Sequence, residues 1–336
     1  MESSEAGPLA VTSIAVLGAG SLGLAYAAHL ALAGHKVQVL TRSRHAQAIQ
    51  RCGVLRAEGA AGPITADVIA TTNPSAIRDA QIVVVACKAP DTRELLASTK
   101  HLVPTVRAAF SIQNGVEKDA WLAAWSAPEL VVGAVSMIGA SEIDGGVVNI
   151  TMPGTTYLGR QPETSTDALD LCAAALRRST LRTEVAGDIR SVEWSKLAQA
   201  VSGMAVAALS RLYWHDVLLD DDLSRLLVSL VREVNEVAAR QGISLIDLAG
   251  LLPVGTITAK SVADGQTEVQ RLGKKLLEAG ATQVKVSMLQ SIEKGRRTEV
   301  ETLLGFVYRE GVRLHLDLPR TETCYRLLAA VDRRLS

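Results

Sequence analysis

The chain has no excess of either charge: lysine plus arginine and aspartate plus glutamate both number 35 in 336 residues. No global field therefore draws it to nucleic acid or to an anionic membrane, and charge can act only locally. Cysteines are few and scattered, at Cys52, Cys87, Cys172 and Cys324, with no C-x-x-C pair. That argues against a zinc site and for free thiols in a reducing compartment, with Cys87 and Cys172 buried in apolar runs. The histidines, His29, His35, His45, His101, His215 and His315, show no ligand spacing with each other or with acids, so no metal is expected. No uncharged apolar run reaches membrane-spanning length, and "MESSEAGPLAVTS" has no basic region ahead of an apolar stretch. Neither a membrane span nor a signal peptide is expected, residues 1–11 read as a flexible lead-in, and the expected location is cytoplasmic.

What is present is apolar: 48% of residues are hydrophobic and 21% charged, enough for a sizeable core. A chain of this length exceeds the size at which one core usually keeps growing, so two domains are expected. The first begins with "SIAVLGAG" (13–20), a β-rich run, followed by "SLGLAYAAHLALAG", helical in composition with Gly34 as a stop, and then by the strand-like "KVQVLTR". At the strand-to-helix junction stands Gly18-Ala19-Gly20-Ser21-Leu22-Gly23, a G-x-G-x-x-G in the context that a dinucleotide site requires. Gly18 permits the tight turn, Gly20 lets a pyrophosphate approach the backbone, and Gly23 lets helix and strand pack closely. The free N–H groups of the helix start favour the phosphates.

An NAD site usually ends its second strand with an acid. Here "LTRSRH" offers Thr41, Arg42, Ser43 and Arg44 instead, a set suited to a 2′-phosphate, so NADPH/NADP+ is the expected cofactor. His45, beside Arg44, reads as a loop residue. Further strands are expected at "QIVVVACK", "AAFSIQNG" and "ELVVGAVSMIG", which place Lys88 and Asn114 at strand C-terminal ends, the ligand edge of an open α/β sheet. "GGVVNITM" and "TTYLGR" read as antiparallel, "STDALDLCAAALRR" as a helix and "LRTEVAG" as one more strand.

From about residue 189 the strand pattern gives way to helical spacing, in "EWSKLAQAVSGMAVAALS", "DDLSRLLVSLVREVNEVAARQG" and "TEVETLLGFVYREGV". Asp220 to Asp222 read as an acidic helix start, with Gly242 and Gly311 as stops. The expected fold is α/β, a Rossmann-type doubly wound sheet at residues 12–187, followed by an all-α substrate domain at 188–336. In the first long helix Lys196, Ala200 and Met204 fall at i, i+4 and i+8 on one face. Farther on, Ser287 and Glu299 flank a Gly295-Arg296-Arg297 break.

The stretches "GAGSLG", "CKAPDT", "QNG", "EWSKLA" and above all "SMLQSIEKGRRTEVETLLG" resemble the ketopantoate reductase (2-dehydropantoate 2-reductase) family over about residues 13–332. The resemblance implies NADPH-dependent reduction of ketopantoate to pantoate, a step towards pantothenate. It implies that Gly18, Gly20 and Gly23 cradle the pyrophosphate, that Arg42 meets the 2′-phosphate, and that Lys88 and Asn114 lie along the cofactor. It further implies Lys196 as the proton donor, Ser287 as a ligand of the substrate carboxylate, and Glu299 as the acid beside substrate and lysine. Glu193 is a second carboxylate close in sequence. Burial of Lys196 would lower its pKa and Glu299 would raise it, two opposed effects.

The chain also departs from that family, which has asparagine four and eight residues after its lysine. Here the positions hold Ala200 and Met204, and a further asparagine site holds Trp214. Two readings follow: a ketopantoate reductase with contacts supplied elsewhere, or a reductase of a bulkier, more apolar carbonyl or imine. A third is a non-catalytic NADP(H) sensor, against which Lys196 and Glu299 argue. The expected partner is a small-molecule carbonyl or imine substrate, with no nucleic acid and no membrane. An apolar face on the helical half leaves room for a homodimer.

Overall fold

The computed structural model describes residues 11–143, 147–250 and 252–335, so nearly all of the expected N-terminal lead-in lies outside the described residues. Two compact units emerge, one of residues 1–113 and 117–189, the other of residues 114–116 and 190–336.

The first unit runs β1 (Ser13–Ala19), α1 (Ser21–Leu32), β2 (Lys36–Thr41), α2 (Ser43–Cys52), β3 (Leu55–Gly59), β4 (Ile64–Ala66), β5 (Ile69–Thr71), β6 (Ile82–Val85), α3 (Thr92–Ser98), β7 (Ala108–Ser111), α4 (Lys118–Trp125), β8 (Val132–Ser136), β9 (Gly139–Ile143), β10 (Val147–Met152), β11 (Thr156–Arg160), α5 (Thr166–Arg178) and β12 (Thr183–Val185). Its central sheet has the order β5-β2-β1-β6-β7 with every pair parallel. Val16 sits between Val39 on β2 and Val84 on β6. A parallel sheet is covered on both faces, which is why β6 can read "IVVV" without a polar residue.

Alternation along β1 divides the core. Ile14 and Val16 belong to one cluster with Leu24 and Leu30 of α1 and Cys172 and Leu176 of α5. Ala15 and Leu17 belong to another with Leu96 of α3 and Leu122 and Trp125 of α4. Helices thus cover both faces, as a doubly wound sheet requires.

Two smaller sheets, β4-β3-β10-β9 and β12-β11-β8, complete the unit. The antiparallel character expected of "GGVVNITM" and "TTYLGR" holds for one neighbour of each. Strands β10 and β11 lie in different sheets, each antiparallel to an earlier strand, β9 and β8, and parallel to a second, β3 and β12. Strands β3, β4 and β5, and β9 beyond Gly139, lie outside the strands expected from the sequence.

The second unit is helical: α6 (Ile189–Ser210, whose first residue belongs to the first unit), α7 (Trp214–Leu219), α8 (Asp221–Arg240), α9 (Val254–Ala259), α10 (Val262–Glu278), α11 (Ser287–Glu293), α12 (Leu304–Arg313) and α13 (Pro319–Asp332). Asp220 caps α8, its carboxylate accepting from the N–H groups of Asp222 and Leu223, and the acidic start is as expected. Leu227, Leu230, Val231, Val234 and Val237 form the buried stripe of α8. Gly242 follows that helix in the left-handed region, φ +71°, as a stop should. Gly311 is not a stop: it lies inside α12, where a side chain would come within 2.3 Å of Leu318 Cδ1. Its function is close packing. Three of the four cysteines are buried and Cys52 is exposed.

Histidine supplies a pH dependence of the first unit. His35 is buried between two backbone groups: its Nδ1 accepts from the Thr12 N–H at 3.2 Å, and its Nε2 faces the Ala175 carbonyl at 3.2 Å. That arrangement needs the neutral ring, because a proton on Nδ1 would face another donor. Burial lowers the pKa of both His35 and His29 below the usual 6.5. The unfolded chain therefore binds more protons there, and stability, complete above pH 6.5, declines as pH falls below it. Urea unfolding of the full chain should show a falling midpoint between pH 7 and 5. His35→Gln should flatten that slope, whereas an unchanged slope would show that His35 does not carry it.

Candidate active site

In the first unit the glycine-rich turn divides its work among three residues. Gly18 has φ +70°, and a Cβ there would lie 2.4 Å from the Cβ of Cys87. Only glycine fits both the conformation and the space. At Gly23 a Cβ would come within 2.7 Å of Ala86 Cβ, so α1 lies directly on the end of β6. Gly20 differs: a Cβ would meet nothing within 4 Å. Gly20 is the N-cap of α1, with no side-chain cap and no acid in the first turn, so the space beside it borders free N–H groups. Ala19, Ser21 and Leu22 complete the turn, and the Ala19 carbonyl is held by the Thr41 hydroxyl at 2.6 Å.

Arg42 is the N-cap of α2, placed there by the end of β2, with Ser43 and Arg44 in the first turn and no acid among them. Cationic side chains at a helix start oppose the helix dipole, an arrangement that a bound anion would relieve. Arg42 Nη2 lies 3.4 Å from Asp91 Oδ2, both side chains well exposed, a pair of little energetic weight. Spacing gave no sign of this acid, which arrives from the turn after β6. His45 is a buried member of α2 and not a loop residue. Lys88 is exposed and caps the short 3₁₀ turn Ala89–Asp91, three residues past the end of β6.

The "QNG" stretch splits between the units. Gln113 stays with the first, donating from Nε2 to the Cys87 carbonyl at 2.8 Å and to the Thr92 hydroxyl at 2.6 Å. Asn114 belongs to the second, where its Nδ2 donates to Glu299 Oε2 at 3.5 Å, the long end of a hydrogen bond. Gly115, at φ +90°, passes the Thr302 carbonyl at a separation that leaves little room for a side chain.

Helix α6 carries Lys196, Ala200 and Met204 on one face, as its spacing requires. Burial lowers the Lys196 pKa from the ordinary 10.5 to about 8. Glu193, one turn earlier, is buried, and Ala200 is buried too. The Met204 sulfur accepts from Ser287 Oγ at 3.7 Å, and Ser287 is exposed at the start of α11. Trp214 lies against the same helix: at Gly203 a Cβ would fall 2.9 Å from its Cη2. The break expected between Ser287 and Glu299 is present, with α11 ending at Glu293 and Gly295 at φ +64°. Residues 299–303 form turns, so the expected helix "TEVETLLGFVYREGV" begins only at Leu304. Among the described residues no cluster of potential metal ligands occurs, and no helix is long and apolar enough to cross a membrane.

Residues 14–163 match the family model described as ketopantoate reductase PanE/ApbA, and residues 188–332 match its C-terminal model. The chain belongs to the ketopantoate reductase family. It is thereby an oxidoreductase of a pyridine-nucleotide-dependent class. Among curated relatives, 2-dehydropantoate 2-reductase of Archaeoglobus fulgidus is 27% identical over 322 residues, covering 96% of this chain and 98% of the relative. The enzyme of the same name from Mesorhizobium japonicum is 27% identical over 342 residues, covering 95% and 97%. A ketopantoate reductase structure from Ralstonia eutropha has the same fold, with TM-score 0.79, 24% identity and coverage of 96% and 98%. So has a D-mandelate dehydrogenase solved with NADH, with TM-score 0.80, 18% identity and coverage of 96% and 100%.

The glycines allow a separation of binding from folding. Gly20→Leu should leave the melting temperature within about 2 °C, since it meets open space. It should weaken pyridine-nucleotide binding, measured by fluorescence titration, roughly tenfold or more. Gly23→Leu should lower the melting temperature sharply by overpacking. Equal binding by wild type and Gly20→Leu would remove this turn from the cofactor site.

Proposed function

We propose that the protein reduces a 2-oxo acid with NADPH, ketopantoate being the first substrate to consider, and that Lys196 is the proton donor. The observation that carries this reading is an ammonium on the partly open face of a buried helix, its pKa lowered by burial to about 8. The residues present fit the cofactor: the open space at Gly20 takes the pyrophosphate, and Arg42, with Arg44 close by, takes the 2′-phosphate. On this reading Lys88, in the first unit, meets the rest of the cofactor. When bound, the nicotinamide supplies a hydride to the carbonyl carbon.

The chain's own groups manage the charge that results. As the carbonyl oxygen becomes negative, the Lys196 ammonium stabilises it and then transfers a proton to it. With a pKa of about 8 the ammonium is about ten times more abundant than the amine at pH 7, yet gives up its proton more readily than an exposed lysine. The Ser287 hydroxyl donates to the substrate carboxylate. Glu299 orients the Asn114 amide.

A second reading, a bulkier or more apolar carbonyl or imine substrate, draws on Ala200, Met204 and Trp214, which offer hydrocarbon and ring surface. The D-mandelate dehydrogenase fold has also been solved with anilino(oxo)acetate, a 2-oxo compound carrying an aromatic substituent.

The test is the loss of NADPH absorbance when ketopantoate is added, with NADH and a panel of aryl and alkyl 2-oxo acids in parallel. Rapid, saturable NADPH oxidation by ketopantoate is expected, and Lys196→Ala should lower kcat by about 10²- to 10⁴-fold while NADPH still binds. Turnover only with bulkier acids would favour the second reading. Tight binding without any turnover would leave a sensor.

A further inference from the structure

Between residues 191 and 208, helix α6 is buried at every position except Lys196, Gln199 and Met204, which stay partly exposed. At 100° per residue these three share one side of the helix, Lys196 in the middle, Gln199 on one flank and Met204 on the other, with Ala200 and Gly203 between them. Gln199 therefore brings an amide to the face that carries the lysine. Its Oε1 is buried and has no hydrogen-bond partner among the described residues. The hydroxyls of the same helix are satisfied: Ser195 donates to the Ser191 carbonyl at 2.7 Å and Ser202 to the Ala198 carbonyl at 2.8 Å. A buried amide oxygen left without a donor is costly, so native structures rarely keep one unless something else supplies the donor.

Resting on the reading of Lys196 as proton donor to a 2-oxo acid, we infer that Gln199 is a substrate-positioning residue, its amide accepting a hydrogen bond from a hydroxyl substituent of the acid. It stands one residue before Ala200, on the opposite flank of the lysine from Met204. Positions three apart on a helix hold their Cβ atoms about 5–6 Å from each other. Gln199 and Lys196 can therefore grip one small molecule, the lysine at the oxo group and the amide at a hydroxyl two carbons away. Ala200 and Met204, on the other flank, are left to cover its alkyl groups. The pocket so formed combines one amide with an apolar wall and suits a branched hydroxy-2-oxo acid.

The test compares ketopantoate with 2-oxo-3,3-dimethylbutanoate, which is ketopantoate without its hydroxyl. Gln199→Met, close in shape and without the amide, should lower kcat/KM for ketopantoate about 10- to 100-fold. For the deoxy compound kcat/KM should stay within about twofold, with NADPH binding and melting temperature held. Gln199→Leu carries the same expectation should the methionine variant fail to fold. Equal losses on both compounds would mean a structural role only, and no loss on either would mean that the amide does not touch substrate. Either result overturns the inference while leaving the reductase reading in place. A wild-type enzyme inert towards both compounds would overturn ketopantoate as the substrate and this inference with it, while turnover of bulkier 2-oxo acids would still uphold a reductase.

Discussion

A primary ammonium on a helix otherwise buried almost all round is the constraint to which the rest of the second unit answers. Moving Lys196 from an ordinary pKa of 10.5 to about 8 corresponds to a cost on the order of 3 kcal/mol for keeping it charged. A lysine that served only solubility would be placed on an exposed face, where it pays nothing of the kind. The helix that holds it is accordingly anchored on its other sides by Leu197, Val201, Ala205 and Val206, all members of the apolar core of this unit. Ser195, next to the lysine, accepts from the Ile246 N–H at 2.8 Å and so ties the helix to the segment beyond α8. Such packing fixes the lysine's direction before any ligand arrives, which is what preorganised charge stabilisation needs.

On the proposed reading the first unit answers to a different constraint, that of bringing backbone close to a phosphate. Gly18 and Gly23 are fixed by what surrounds them, Cys87 and Ala86, whereas Gly20 is surrounded by nothing. The first two make the fold and the third leaves the space. Arg42 and Arg44 at the start of α2 add local positive charge to a chain whose total is balanced.

Much of this was legible in the residues. The glycine spacing, the apolar runs of β1 and β6 and the 3.6-residue period of α8 depend on local rules, and the structure follows them. The i, i+4, i+8 spacing likewise placed Lys196, Ala200 and Met204 together. Other features were not legible, for physical reasons. Strands β3, β4, β5 and β9 carry no apolar run like that of β6, and the pairing of β10 and β11 with earlier strands depends on long-range contacts. The meeting of Arg42 with Asp91, and of Asn114 with Glu299, joins residues 49 and 185 positions apart. Gln199 was passed over because its importance lies in a hydrogen bond that is missing. A missing bond leaves no trace in composition or spacing.

The measurement that tests the account most directly is the pH dependence of kcat/KM for ketopantoate reduction, which reports the ionisation of groups in the free enzyme. A general acid acts only while protonated. With the Lys196 ammonium as donor and its pKa lowered by burial, kcat/KM should fall as pH rises through about 8, with the slope of a single proton. A profile that stayed flat to pH 10 would contradict a donor lysine tuned by its position on α6.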